Sequence, residues 1–483
     1  MCSPGICDIL PGGVPGRLVG DLAMHALRRL LASRSVLLLA FAFAVMGDPV
    51  SSVAYAIEAA LRALDGRLGL LVPTMAIVVA IIGLVIANYH RLVARFPGGG
   101  DAAAAGTAFG EGWAFLPLGA LIVDYALTIA ISVAAASSAV IAYAPSLGGV
   151  RVPLALVLLA AVAGLTWFGH AGRAVFALMT VSFVGVGSAV LVLGLVAPRG
   201  HGTGLLHPAG ADGSAPLAVL LAFPVAMALA TGVEAPSSAV AQLGQLDHRG
   251  KVHFGRVTLW LTLGIVGWLT IGLTVVAVRL RVGLPPADST QMAEVARAAA
   301  GDGPLFAAFQ LTSAVLLLAA ASSSYQAGPG LLKALSRGAS EGHGVGVLPA
   351  PLGAANRHHT PYWGVVVFFC VAAAVVGAAG GREQELVLFY AVAVFVSFLF
   401  GLLSMAAFSR REGARLFLAL NALAIAAVAL TLAVNLRRGY PIASLGAACA
   451  IALVLHRLWI RAGRPRGVSE VERLAEEDLA AAP

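Results

Sequence analysis

Apolar residues run through this chain in long blocks, rather than in the i, i+3, i+4 stripes of a helix with one face in water. A helix needs about 20 predominantly apolar residues to cross the hydrocarbon of a bilayer. Blocks of that length predict twelve spans, at 35–63, 67–93, 113–144, 152–168, 173–197, 216–243, 257–279, 304–335, 361–380, 384–408, 413–436 and 441–460. Each is expected to be helical, because lipid offers no partner for a bare peptide group and the blocks lack the alternation of barrel strands. The expected fold class is an all-α polytopic membrane protein.

Composition agrees. Of the 483 residues 59% are hydrophobic and 11% charged, against about 25% charged in a soluble domain. The net charge of +8 raises nucleic acid as a partner, but the basic residues sit in short loops and offer phosphates no continuous footprint. Cys2, Cys7, Cys370 and Cys449 have no metal-ligand spacing and imply no disulfide framework. Arg95 to Gly100 reads Arg-Phe-Pro-Gly-Gly-Gly without a following Gly-Lys-Ser/Thr, so it predicts a tight turn between spans 2 and 3, not a phosphate loop. His358-His359 reads as a surface pair. With no nucleophile–base pair, metal cluster or nucleotide loop, no enzyme chemistry and no cofactor is expected.

Loop charge orients the bundle. With the N-terminus inside, alternate loops on the cytoplasmic side hold about 21 of the 31 Lys and Arg residues. Both termini are therefore expected in the cytoplasm of a cell-membrane protein. Residues 1–34 form an N-terminal segment; Leu22, Met24, Leu27, Leu30 and Leu31 beside Arg28 and Arg29 suit a short helix on the inner membrane face, and a disordered leader suits equally. The transmembrane domain covers 35–460. The tail, 461–483, carries Glu470, Glu472, Glu476, Glu477 and Asp478 and is expected to be a solvated helix or a disordered end.

The acids are the sharpest signal. Of 23 Asp and Glu residues, only Asp48, Glu58, Asp124 and Glu234 fall inside spans and away from their ends, with no Lys or Arg at comparable depth. A charge there costs at least about 2.5–3.5 kcal/mol, so such residues mark a pathway or site, and acids without basic partners need protons or a bound cation. Span 1 reads Met46-Gly47-Asp48-Pro49-Val50-Ser51-Ser52, and Pro49 with Gly47 predicts a break. Span 6 reads Thr231-Gly232-Val233-Glu234-Ala235-Pro236, a second break. Breaks at the same place in two consecutive sets of five spans point to the binding site of an inverted-repeat transporter. Span 3 sets Asp124, Thr128 and Ser132 on one face, with Tyr125 on the next. In span 8, Ser322, Ser323, Ser324 and Tyr325 suit helix packing and ion coordination equally. Glu58 reads as an interfacial acid rather than a gate.

The stretch Asp48 to Glu58, the turn Phe96 to Gly100, the motif Val123-Asp124-Tyr125-Ala126-Leu127-Thr128, and Thr231-Gly232-Val233-Glu234 resemble the amino acid–polyamine–organocation superfamily. Within it they are most similar to the KUP-like bacterial potassium–proton symporters. The resemblance spans the first ten spans. It implies a LeuT-type fold of five-plus-five inverted repeats, about 35–197 and 216–408, with two extra helices at about 413–460. It also implies potassium and protons as transported ions, with potassium bound by Asp48, Tyr55, Asp124, Thr128, Ser132, Thr231, Glu234 and Tyr390, the last on the short motif Leu388-Phe389-Tyr390-Ala391. Two departures stand out: those symporters commonly carry a large cytoplasmic domain after span 12, and span 8 here reads Ala-Ser-Ser-Ser-Tyr-Gln-Ala-Gly-Pro instead of the usual segment.

The expected function is proton-coupled potassium uptake by alternating access, with Glu234 or Asp124 as proton carrier. An amino-acid or polyamine permease on the same scaffold is the alternative, and a channel or a transport-dead receptor the minor one. The expected partners are the bilayer and a small cation or amine; the sequence neither requires nor excludes a homodimer.

Overall fold

The computed structural model describes residues 34–169, 172–200, 214–336, 345–439 and 441–481. The amphipathic segment expected at 21–33 lies outside them. The described chain is almost wholly helical, with one isolated bridge between Ala355 and Pro361.

Span 1 consists of Arg34–Val45, Gly47–Ser51 and Val53–Ala63, and span 2 of Leu71–Arg95. Spans 3, 4 and 5 are Phe115–Tyr143, Arg151–Trp167 and Arg173–Val196. Span 6 divides into Ala215–Ala226 and Ala235–Ala239, followed by span 7, His248–Arg279, and span 8, Pro304–Ser336. Spans 9 to 12 are Tyr362–Ala378, Glu383–Arg411, Arg415–Leu436 and Ile442–Arg461. Among the described residues ten of these twelve are long and apolar enough to cross a membrane on their own; the first segment of span 1 and span 9 are shorter.

Span 3 is the central pillar. Spans 8, 10 and 12 all pack on it. It can be approached on several sides because it is built from small residues, such as Ala134, Ala135, Ala136, Ser137 and Ser138, all buried. At Gly119 a Cβ would lie 2.6 Å from the Ala448 carbonyl oxygen of span 12, so glycine there sets the closest approach. Span 2 packs along span 7, span 3 on span 8 and span 4 on span 9, which are equivalent pairs of two consecutive sets of five. Spans 4 and 5 turn Val157, Leu165 and Leu178 outward, as lipid-facing helices do.

Three helices depart from the sequence expectations. The turn at Phe96–Gly100 continues as a turn helix, Gly100–Phe109, whose alanines are buried. A loop helix between spans 7 and 8, Gln291–Ala300, on the side expected to be outer, starts where the Thr290 hydroxyl accepts from the Ala293 N–H at 3.1 Å, an N-cap. The third is the tail helix, Val471–Ala481. The tail was expected to be solvated or disordered, and it is neither. Val468, Val471 and Ala475 recur at helical spacing and are buried against Ala102, Phe115, Leu331 and Leu335. Glu111 anchors the entry, accepting from the N–H groups of Gly467 and Ser469 at 3.3 and 3.2 Å. An apolar stripe with a matching recess overrides the charge of the outer face.

Candidate functional site

The break in span 6 is a true loss of helix. Pro224, inside the first half, removes one donor, and the chain tightens into a 3-10 turn at Met227–Ala230. Thr231 to Glu234 is non-helical, with Gly232 at φ +68°. The Thr231 hydroxyl donates to the Ala228 carbonyl at 2.6 Å, occupying one oxygen that the lost helix frees. A Cβ at Gly232 would come within 2.7 Å of Asp48 Oδ2, so the break presses its backbone against the span 1 acid.

Span 1 bends more gently. It is interrupted at Met46 and Ser52 only, and Pro49 leaves the Val45 carbonyl without its i+4 donor. The Ser51 hydroxyl donates to the Asp48 carbonyl at 2.7 Å, and Ser52 to the Pro49 carbonyl at 2.6 Å and the span 6 Leu229 carbonyl at 3.1 Å. The two serines therefore serve the backbone at the bend and tie span 1 to span 6. Tyr55 is buried; its hydroxyl faces Thr231 without a hydrogen bond of good geometry.

A cavity of about 420 Å³ runs from this joint to the tail helix. Asp48, Asp124 and Glu234 line it together, with Gly232, Tyr125, Ser323 and Ser324. Of the expected site residues, Tyr55, Thr128, Ser132 and Thr231 are buried and do not line it. Position 390 lies within span 10, but the Tyr390 side chain is outside those described. Gly47 and Pro49 sit at the bend, Gly232 at the break, and Pro236 opens the second half of span 6. Asp48 Oδ1, Tyr55 OH, Ser132 Oγ and Glu234 Oε2 are buried atoms without a hydrogen-bond partner. Such groups cost about 1–3 kcal/mol each unless something satisfies them. Among the described residues no group of three or more His, Cys, Asp or Glu is placed to hold a metal ion.

Sequence reasoning missed the far wall of the cavity: Ser238, Gln242, Gln326, Glu472 and Glu476. The signal for the last two was present, as acids four apart on a helix whose other face carries Val471 and Ala475.

The end of the bundle away from the tail is shut. Glu58, read as an interfacial acid, is 2% exposed. It accepts from Arg62 Nε of its own span and from the Gln291 N–H of the loop helix, both at 2.8 Å, and these two donors make its burial tolerable. Beside it, Arg151 of span 4 donates to the Ser138 hydroxyl of span 3 at 2.7 Å, which in turn donates to Glu383 of span 10. Gln384 donates to the Tyr55 carbonyl at 3.3 Å.

Packed spans, a break at mid-chain, carboxylates gathered at it and one closed end define a multi-pass membrane transporter. The amino acid permease family model matches residues 37–457, and the chain belongs to that family. The potassium transporter KimA of Bacillus subtilis (strain 168) is 26% identical over 364 residues, which cover 73% of this chain and 58% of that protein. The chain thus spans little more than half of that relative's length. Among solved structures, two point mutants of the Eremococcus coleocola manganese transporter align with TM-scores of 0.48 and 0.46 at 13% identity, each covering 89% of this chain and 95% of theirs. A complex of that transporter with an aromatic bis-isothiourea compound aligns at 0.44, with 88% and 97% covered.

Proposed function

We propose that the protein takes up potassium into the cell together with protons, by alternating access around the joint of spans 1 and 6. One observation carries this reading. The cavity at the break is lined by Asp48, Asp124 and Glu234, with Glu472 and Glu476 beyond, and by no Lys or Arg among the described residues. In low dielectric such a site repels anions and requires positive charge, as an ion or a proton. It disfavours a free amino acid, whose carboxylate would face Asp48 at the place where such carriers present bare amides. The relative named for potassium agrees with this reading.

In this mechanism the ion exchanges its water for carboxylates, the buried hydroxyls and the carbonyls freed at the break. Glu234 or Asp124 carries the coupled proton. The two-to-one excess of Arg and Lys supports a cytoplasmic tail end of the cavity in a cell-membrane protein, and in that orientation the structure corresponds to a state closed to the outside.

A second reading, an amine or polyamine permease, has the cavity volume in its favour, since about 420 Å³ exceeds what one bare ion fills. Rubidium uptake in a bacterium lacking its own potassium systems decides between them. Saturable uptake, collapsed by an uncoupler and lost in Asp48→Asn, is the expected result. Uptake of putrescine without rubidium transport would establish the amine carrier. Wild-type rubidium flux in both Asp124→Asn and Glu234→Gln would overturn the proton assignment.

A further inference from the structure

The tail helix forms one wall of the cavity. Glu472, Glu476, Leu479 and Ala480 face it from the side opposite Asp48 and Asp124. Three anchors hold the helix, each on a different part of the bundle. Glu472 accepts from the Ala102 N–H at 3.0 Å and so caps the turn helix, where the N-terminal partial charge favours a carboxylate. Room for it exists because position 100 is glycine: φ is +58°, and a Cβ there would overlap the Glu472 carboxylate. Glu476 accepts from Gln242 Nε2 at 2.6 Å, just past the second half of span 6. Asp478 pairs with Lys333, buried near the end of span 8.

These attachments straddle the joint that alternating access must work. Span 8, which packs along span 3, belongs with the steady frame of that reading. The span 2–3 turn is itself bonded to span 6 through the Gly98 N–H and the Ser237 carbonyl at 3.0 Å, and Gln242 follows the mobile half of span 6. A helix tied to both sides has to release one of them whenever the joint moves.

We propose that the tail helix is the inner gate of the transport path. Docked, it closes the vestibule below Asp48, Asp124 and Glu234 and clamps span 6 to the frame. Released, it opens the vestibule to the cytoplasm, and Glu472 and Glu476 are the carboxylates a departing cation passes. The inference rests on reading this cavity as the transport path.

The test uses the full chain in proteoliposomes, with Cys2, Cys7, Cys370 and Cys449 replaced by serine. Gln242→Cys with Glu476→Cys is locked by a short, reducible bifunctional thiol reagent. Rubidium flux is expected to fall below about a tenth of the unlocked value and to return on reduction, as gating of a required motion demands. A second measurement needs no knowledge of the cargo. Ser238→Cys, inside the vestibule, is labelled by a bulky water-soluble maleimide from the tail side, alone and combined with Glu472→Ala or Glu476→Ala. Labelling is expected to rise at least about threefold when an anchor is removed, since each anchor biases the docked population. Full flux through the locked helix would overturn the gate, and so would labelling indifferent to both anchors. Labelling that rises in a protein with no rubidium flux in any form supports the gate and overturns potassium as the cargo.

Discussion

Asp48 and Gly232 meet across the joint of spans 1 and 6, one supplying charge and the other the space for it. A left-handed conformation costs an ordinary L residue roughly 1–2 kcal/mol, and at Gly232 a Cβ would in addition crowd Asp48 Oδ2 at 2.7 Å. Gly232→Ala is therefore expected to reach the membrane but to lose rubidium uptake by about tenfold or more, the ratio that 1.4 kcal/mol represents. Uptake per membrane-inserted protein checks this, and an unimpaired variant would show that the contact is incidental. The acids were readable from sequence because charge inside an apolar block stands out at any register. The contact between positions 48 and 232 was not, since nothing local encodes which backbone a distant carboxylate touches.

The tail helix shows how an element changes character once it finds a surface. Burial pushes Glu472 up to about 8; the neighbouring Asp101 adds to the rise, the Ala102 N–H opposes it, and Glu476 contributes a further push upward. Asp101 is pushed up to about 7 by burial, against the hydrogen bonds it accepts from Tyr89 and Ser397. Burial raises Glu476, opposed by the Gln242 amide. Tyr89, Tyr125 and Lys333, the last paired with Asp478, face this surface as well, with Asp48, Asp124 and Glu234 across the cavity; Arg473 pairs with Glu470 and Glu477 along the helix itself. A carboxyl that holds its proton more tightly docked than free favours docking at low pH. Docking is thus strongest below the ordinary value of 4.5 and is progressively lost as pH rises through about 8. Backbone hydrogen-exchange protection over 471–481, the rate taken relative to the intrinsic rate at each pH, should fall across that window. In Glu472→Gln the pH dependence should flatten; an unchanged slope would place the titration elsewhere.

At the scale of the molecule, polar contacts hold the end of the bundle away from the tail, and the tail helix walls the cavity at the other. The seal joins spans 3, 4 and 10 through Ser138, Arg151 and Glu383, and ties span 10 to span 1 through the Gln384 amide on the Tyr55 carbonyl. Arg151 also donates to the Ala287 carbonyl at 2.9 Å, so it secures the outer loop. Arg151→Met removes these bonds and leaves Glu383 buried with less compensation. A loss of about 1 kcal/mol shifts a two-state population about fivefold. External labelling of a cysteine placed at Ala139, beside this seal, is expected to rise by that order. Labelling equal to that of the parent would mean that the seal does not hold the outer end.

The sequence by itself determined what bilayer physics dictates segment by segment. Every span had to be a helix, Pro49 had to cost span 1 a backbone hydrogen bond, span 6 had to yield at Gly232 with Pro236, and acids set inside apolar blocks had to find compensation. Each follows from lipid being unable to satisfy a peptide group or a charge, a constraint that acts locally and marks the sequence locally. The tertiary structure decided the rest. It kept span 1 nearly helical while span 6 came apart, and tied the two where the Ser52 hydroxyl reaches the Leu229 carbonyl. It also buried Glu58 against the loop helix and turned an acidic tail into a wall of the cavity. Those outcomes depend on donors brought from far along the chain, Gln291 for Glu58 and Ala102 for Glu472, and a carboxylate's own neighbours in sequence do not record which distant N–H will meet it.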